Sequence, residues 1–123
     1  MLVDEVEAFL RGRSGRSSAG GGAAVAANWL AHAEPTAIEE RVRYESGLRR
    51  PGGTWDWAIS TLARELVELA GARHDVMRQL QHDCLVPVEL ALLEGGGGDV
   101  QPRTLVTLGL SRLRAHPGTG AVP

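Results

Sequence analysis

Between Thr54 and Asp83, the residues Ile59, Leu62, Leu66, Leu69, Val76 and Leu80 recur at steps of three, four and seven. Side chains spaced in this way project from one face of an α-helix, so they form an apolar stripe that must be buried against other helices or another subunit. The spacing predicts an all-α protein, a small irregular bundle of four to six helices around one long central helix. Unbroken over 55–83, that helix would be ~43 Å long at ~1.5 Å per residue. Two residues disturb a straight rod. Gly71 costs about 1 kcal/mol relative to Ala in a helix interior, and Arg73 occupies a position the stripe would bury. A bend near Gly71, or an Arg73 side chain reaching out to a carboxylate, reconciles them with the pattern.

Composition agrees with helices. Aromatic residues make up 4% of the chain, so packing must come from Leu, Val and Ala, which suits closely spaced helices better than a β-sandwich. A chain of 123 residues with 43% apolar content is expected to form one domain, 1–123, with a modest core that needs neither metal nor disulfide.

The remaining elements follow from local signals. Leu2, Val3, Val6, Phe9 and Leu10 give residues 2–11 a helical apolar face, with Asp4, Glu5 and Glu7 near its positive end. Residues 12–22 are dominated by Gly and Ser and are expected to be flexible, as are 95–99 and 117–123. A second helix is predicted over 23–34, with Val25, Trp29 and Leu30 on one side, stopping before Pro35. Thr36 and Glu39 match a capping box for a third helix from Ala37 to about Ser46, burying Ile38, Val42 and one of Tyr44 or Ala37. Thr54 is the expected cap of the central helix. Pro87 is expected to open a short helix through Glu94, with a strand as the alternative, and the last helix should place Leu105, Val106, Gly109, Leu110 and Leu113 on one face.

All 13 cationic side chains are Arg, a Lys-free usage that fits a GC-rich bacterial or phage genome. The formal net charge of −2 argues against a general polyanion binder, which needs a concentrated positive field. Nucleic acid is therefore a disfavoured partner. The local cluster Arg41, Arg43, Arg49 and Arg50 is the place where phosphate contact would occur in a small regulatory DNA-binding protein. Cys84 is the single cysteine, so no intrachain disulfide forms and a cytoplasmic location is expected. No leader pattern or membrane-spanning run is evident.

Reaction chemistry is weakly represented. His32, His74-Asp75, His82-Asp83 and Asp99 distantly resemble the ligand order of all-helical metal phosphohydrolases, which would imply a metal-dependent hydrolase using His74, Asp75 and His82. Eight helical residues separate His74 from His82 by ~12 Å of rise, too far to share one ion in a straight helix, and Arg73 would repel a cation. Cys84 lacks the second cysteine of a zinc site and is expected to be a small buried hydrophobe. Glu65, Glu68 and His74 miss the Glu-x-x-His spacing of di-iron bundles, and Gly95–Gly98 lacks the ending of a phosphate loop. No catalytic residue, cofactor or metal is assigned. The expected function is a non-enzymatic protein–protein interaction or assembly module that binds a protein partner or itself. Its expected contact residues are Trp55, Trp57, Leu66, Leu69, Leu85, Leu90 and Leu93, because large apolar and indole side chains anchor interfaces.

Overall fold

A computed structural model describes residues 18–45, 52–95 and 100–117. The expected helix over 2–11, Arg49, Arg50, and nearly all of the segments 95–99 and 117–123 lie outside them. The described elements are α1 (Ser18–His32), α2 (Pro35–Glu45), α3 (Trp55–Ala70), α4 (His74–Leu80), a π-helical turn (Gln81–Leu85), α5 (Val86–Gly95) and α6 (Pro102–Ala115). The fold is an all-α bundle, and no strand occurs among the described residues.

Helix α3 is central, packed against α1, α2, α4 and α6. Leu62 and Leu66 on its inner face are fully buried together with Leu30, Ile38, Met77 and Leu105. Each such side chain contributes about 1.5–3 kcal/mol relative to leaving it in water. The Thr54 hydroxyl accepts the Trp57 backbone N–H at 3.0 Å, which satisfies one of the open donors of the first turn, as the sequence predicted. On the far side, Gly109 of α6 lets α3 approach so closely that a Cβ there would meet Leu62 Cδ2 at 2.7 Å.

The single long helix does not occur. The chain leaves α3 at Gly71, whose φ of 61° and ψ of −134° suit only glycine, and re-enters helix at His74. The stripe is therefore shared by two helices, with Leu62 and Leu66 on α3 and Leu80 on α4 all buried. Arg73 lies in the turn between them and pairs with Asp75 at 2.8 Å.

Three further expectations change. Helix α1 starts at Ser18, so it takes in the last part of the segment 12–22 expected to be flexible. Gly22 lies against the indole of Trp55, where a Cβ would come within 2.8 Å of Nε1. Helix α2 starts at Pro35 rather than Ala37, because proline is preset for the first helical position and the Glu34 carbonyl already accepts from the Ile38 N–H at 3.1 Å. Thr36 is thus inside the helix and Tyr44 is 75% exposed, leaving Ile38 as the buried anchor. Finally, the short helix expected from Pro87 to Glu94 is present as α5, Val86–Gly95, but it follows directly on the π-helical turn without a break at the proline. The Val86 N–H bonds to the Gln81 carbonyl, five residues back, and this widened turn makes room for a proline ring that would otherwise press on the carbonyl four residues before it.

Candidate interaction surface

Two sets of hydrogen bonds tie the C-terminal end of α1 to α5 and the turn ahead of it. The Gln81 side-chain amide, just ahead of α5, donates to the carbonyls of Leu30 at 3.0 Å and Ala33 at 2.8 Å, closing the C-terminal end of α1. One helical stretch further on, Glu89 receives Asn28 Nδ2 on Oε2 at 2.6 Å and lies 2.9 Å from His32 Nε2 through Oε1. Glu89 is buried, whereas the side chain of His32 is 55% exposed. The carboxylate is thus held between an amide and an imidazole at the edge of the core.

Apolar residues surround α5 on nearly every side. Val88 and Leu92, with Leu85 and Cys84 just before them, face the core. Val86, Leu90 and Leu93 repeat at i, i+4 and i+7 and so form a second stripe on another face. Val86 is half-buried, but Leu90 is 50% exposed and Leu93 58%. A helix apolar all round is normally enclosed. Here one face is enclosed and the other meets solvent.

The remaining predicted contact residues divide sharply. Leu66 and Leu85 are core residues, because the seam that includes them closes the chain's own bundle. Leu69 is partly buried against the same core. Trp55 and Trp57 are also partly buried, Trp55 beside Gly22 and Trp57 with the Arg103 guanidinium 5.5 Å from its ring centroid. Only Leu90 and Leu93 of that set are strongly exposed.

Of the proposed phosphate contacts, Arg41 ties α2 to α3. Its Nε donates to the Ser60 hydroxyl at 3.3 Å, its Nη2 lies 3.5 Å from the Asp56 carboxylate, and its guanidinium sits 5.9 Å from the Trp29 ring centroid. Arg43 is exposed on α2.

The hydrolase candidates do not converge. His74 pairs with Glu39 at 3.0 Å, Asp75 with Arg73, and His82 with Asp83 at 3.0 Å. Among the described residues, no three His, Cys, Asp or Glu side chains are placed to hold one metal ion. Asp83 gathers hydrogen bonds from Gln79 at 2.7 Å, His116 at 2.9 Å and His82, and these hold its carboxyl well below the usual carboxylate range. Beside it, a cleft of about 250 Å³ is lined by Asp75, Val76, Gln79, Leu80 and His116. That is below the ~300–1,000 Å³ of typical ligand pockets, and of its lining groups Asp75 is already paired with Arg73 and His116 with Asp83. Cys84 is 2% exposed with its Sγ 3.5 Å from the Arg112 carbonyl, and burial pushes its thiol up.

Sequence reasoning missed the Asn28–His32–Glu89 cluster. Its signal was present, since Glu89 is the one charged residue in the apolar run 84–93, and an isolated charge there calls for a buried partner. Among the described residues, no helix is long and apolar enough to cross a membrane. No protein-family model matches the chain, and no curated protein or solved structure is significantly similar to it.

Proposed function

We propose that this protein is a small non-enzymatic interaction module whose contact surface is the outer stripe of α5, and that this stripe receives an amphipathic helix of a protein partner. The observation that carries the reading is the helical repeat of Val86, Leu90 and Leu93, with both leucines at least half exposed. Helix-in-groove recognition uses anchors at this spacing. Two leucines on one short helix present much less than the ~800 Å² per partner of a standard protein–protein interface, so a single helix fits the surface better than a broad face of a second copy. A cytoplasmic setting accompanies the proposal and is supported by the free thiol of Cys84.

The test uses a fluorescently labelled model peptide with leucines at helical spacing on one face and lysines on the other. Anisotropy should rise on titration with the protein. The double substitution Leu90→Glu with Leu93→Glu should abolish that rise while leaving the helical circular dichroism unchanged. Equal binding by the wild-type and doubly substituted chains overturns the reading.

A further inference from the structure

We infer that the helix received by the outer stripe of α5 is a cationic one, with Arg or Lys beside its apolar anchors, and that an uncharged or acidic helix of the same apolar spacing binds less well. The inference rests on the reading of that stripe as a helix-docking surface and deepens it by fixing the charge of the partner.

Charge is divided unevenly over the bundle. The chain has no Lys, and the arginines of the described residues are Arg41 and Arg43 on α2, Arg64 on α3, Arg73 in the turn after it, Arg78 on α4, and Arg103, Arg112 and Arg114 on α6. None lies on α1, the π-helical turn or α5. Those three elements, which pack on one another, hold Asp83, Glu89 and Glu94 instead. Arg112 comes near the start of α5, where its carbonyl lies 3.5 Å from Cys84 Sγ. Glu94 is at the other end of that helix, roughly 15 Å of rise away at ~1.5 Å per residue.

On the rest of the bundle, carboxylates have guanidinium groups beside them. Glu65 pairs with Arg114 at 2.9 Å, Asp56 with Arg41 at 3.5 Å, and Glu34 with Arg78. The two imidazoles of α1 and the π-helical turn are already taken, His32 by Glu89 at 2.9 Å and His82 by Asp83 at 3.0 Å. Glu94 is exposed, and among the described residues no cation pairs with it. It follows Leu90 by four positions and Leu93 by one, so it closes the same exposed stripe. The last carbonyls of α5 add the negative pole of the helix dipole at that end.

This charge selects among occupants. A second copy of the chain fits poorly, because a two-fold contact sets the stripe against itself and places both copies of Glu94 in one interface without a cation. A phosphate-bearing surface meets the same repulsion. A helix whose leucines are flanked by Arg or Lys offers apolar contact to Leu90 and Leu93 and a counter-charge to Glu94 together.

The experiment uses three labelled peptides of identical leucine spacing, with Lys, Gln or Glu on the polar face. Each is titrated with the full-length wild type, with Glu94→Arg, and with Leu90→Gln plus Leu93→Gln, which removes the anchors without adding charge. In ~10 mM salt the Lys peptide should bind the wild type about tenfold more tightly than the Gln peptide, since several exposed ion pairs each contribute a little, and the Glu peptide should bind most weakly. The lead of the Lys peptide should shrink in ~1 M salt, where the Debye length is ~3 Å. A cation suits the C-terminal end of a helix, so Glu94→Arg leaves the fold intact. That variant should bind the Lys peptide about threefold more weakly than the wild type does, with the Gln peptide unaffected. If the Lys and Gln peptides bind the wild type equally and the Leu90/Leu93 variant binds neither, the charge inference is overturned and the reading of the stripe stands. A lead that Glu94→Arg leaves undiminished also overturns the inference, because the attraction then lies elsewhere on the chain. If the Leu90/Leu93 variant binds every peptide as well as the wild type, the reading of the stripe falls and the inference falls with it.

Discussion

The carboxylate of Glu89 lies 2.9 Å from the imidazole Nε2 of His32, and that contact sets how α5 is rotated about its own axis. Apolar residues on several faces give α5 little hydrophobic preference for one rotation over another. A polar cluster that is satisfied in only one rotation supplies that preference, a role attested for isolated buried polar groups in other helical assemblies. The rotation chosen leaves Leu90 and Leu93 outside.

Replacing Glu89 by Leu should therefore affect order more than stability. Asn28 is exposed and His32 more than half exposed, so both recover water when the carboxylate is gone. We predict a change in unfolding free energy within about 1 kcal/mol, together with more than one set of amide resonances for residues 86–95. A single sharp set identical in number to that of the wild type would contradict the rotational role.

Gln81 is expected to matter more. Its amide satisfies two carbonyls at the end of α1, and Gln81 itself is 3% exposed. The substitution Gln81→Leu removes both donors and should lower stability by about 1–3 kcal/mol through the unmet carbonyls. Urea denaturation monitored by circular dichroism measures this, and an unchanged midpoint would show that water reaches those groups.

Close packing of α3 on α6 leaves no room for a side chain at Gly109. A methyl group there would meet Leu62 Cδ2 at 2.7 Å and Cδ1 at 2.9 Å. Gly109→Ala should destabilise by about 1–3 kcal/mol despite the better helix propensity of alanine, and Leu62→Ala in the same chain should partly relieve the clash. A simple sum of the two single effects in the double variant would argue against direct contact.

Asp83 gives the protein an acid-sensitive contact. Its carboxyl is held low first by the Gln79 hydrogen bond and then by His116 and His82. A carboxyl depressed in the folded state adds stability above its unfolded value, ordinarily 3.8, and that stability is lost as pH falls further. The wild type should exceed Asp83→Asn in stability at neutral pH, with the gap narrowing below about pH 4. Asp83 is one-third exposed, so the gap is expected to be modest. Denaturation across pH tests this, and a gap that stays constant down to pH 2 would remove Asp83 as its source.

Cys84 should resist alkylation in the native protein, since it is buried and its thiol is pushed up by that burial. Labelling at the rate of a free thiol under native conditions would mean that the π-helical turn opens readily. Labelling that tracks the unfolded fraction in denaturant is the expected result.

Much of this architecture was legible in the residues. The spacing of Leu62 and Leu66, the threonine cap at position 54, and the face formed by Leu105, Val106, Gly109 and Leu113 are local or periodic signals, and the structure places each accordingly. Gly71 marked the break, but the spacing alone left open a gentle bend. The turn depends on a backbone conformation open only to glycine and on the packing of Met77 and Leu80 back onto the core.

The sequence by itself determined that the chain is helical, where most helices lie and which face of each is apolar, because those properties depend on residues within a turn or two of one another. Tertiary structure alone decided which apolar stripe was needed to close the bundle and which was left over. Leu66 on α3 and Leu85 ahead of α5 were absorbed into the core while Leu90 and Leu93 were left exposed, on the helix whose Glu89 meets Asn28 and His32 on α1. That contact spans about sixty residues of sequence, and no local pattern specifies which partners a lone buried carboxylate will find.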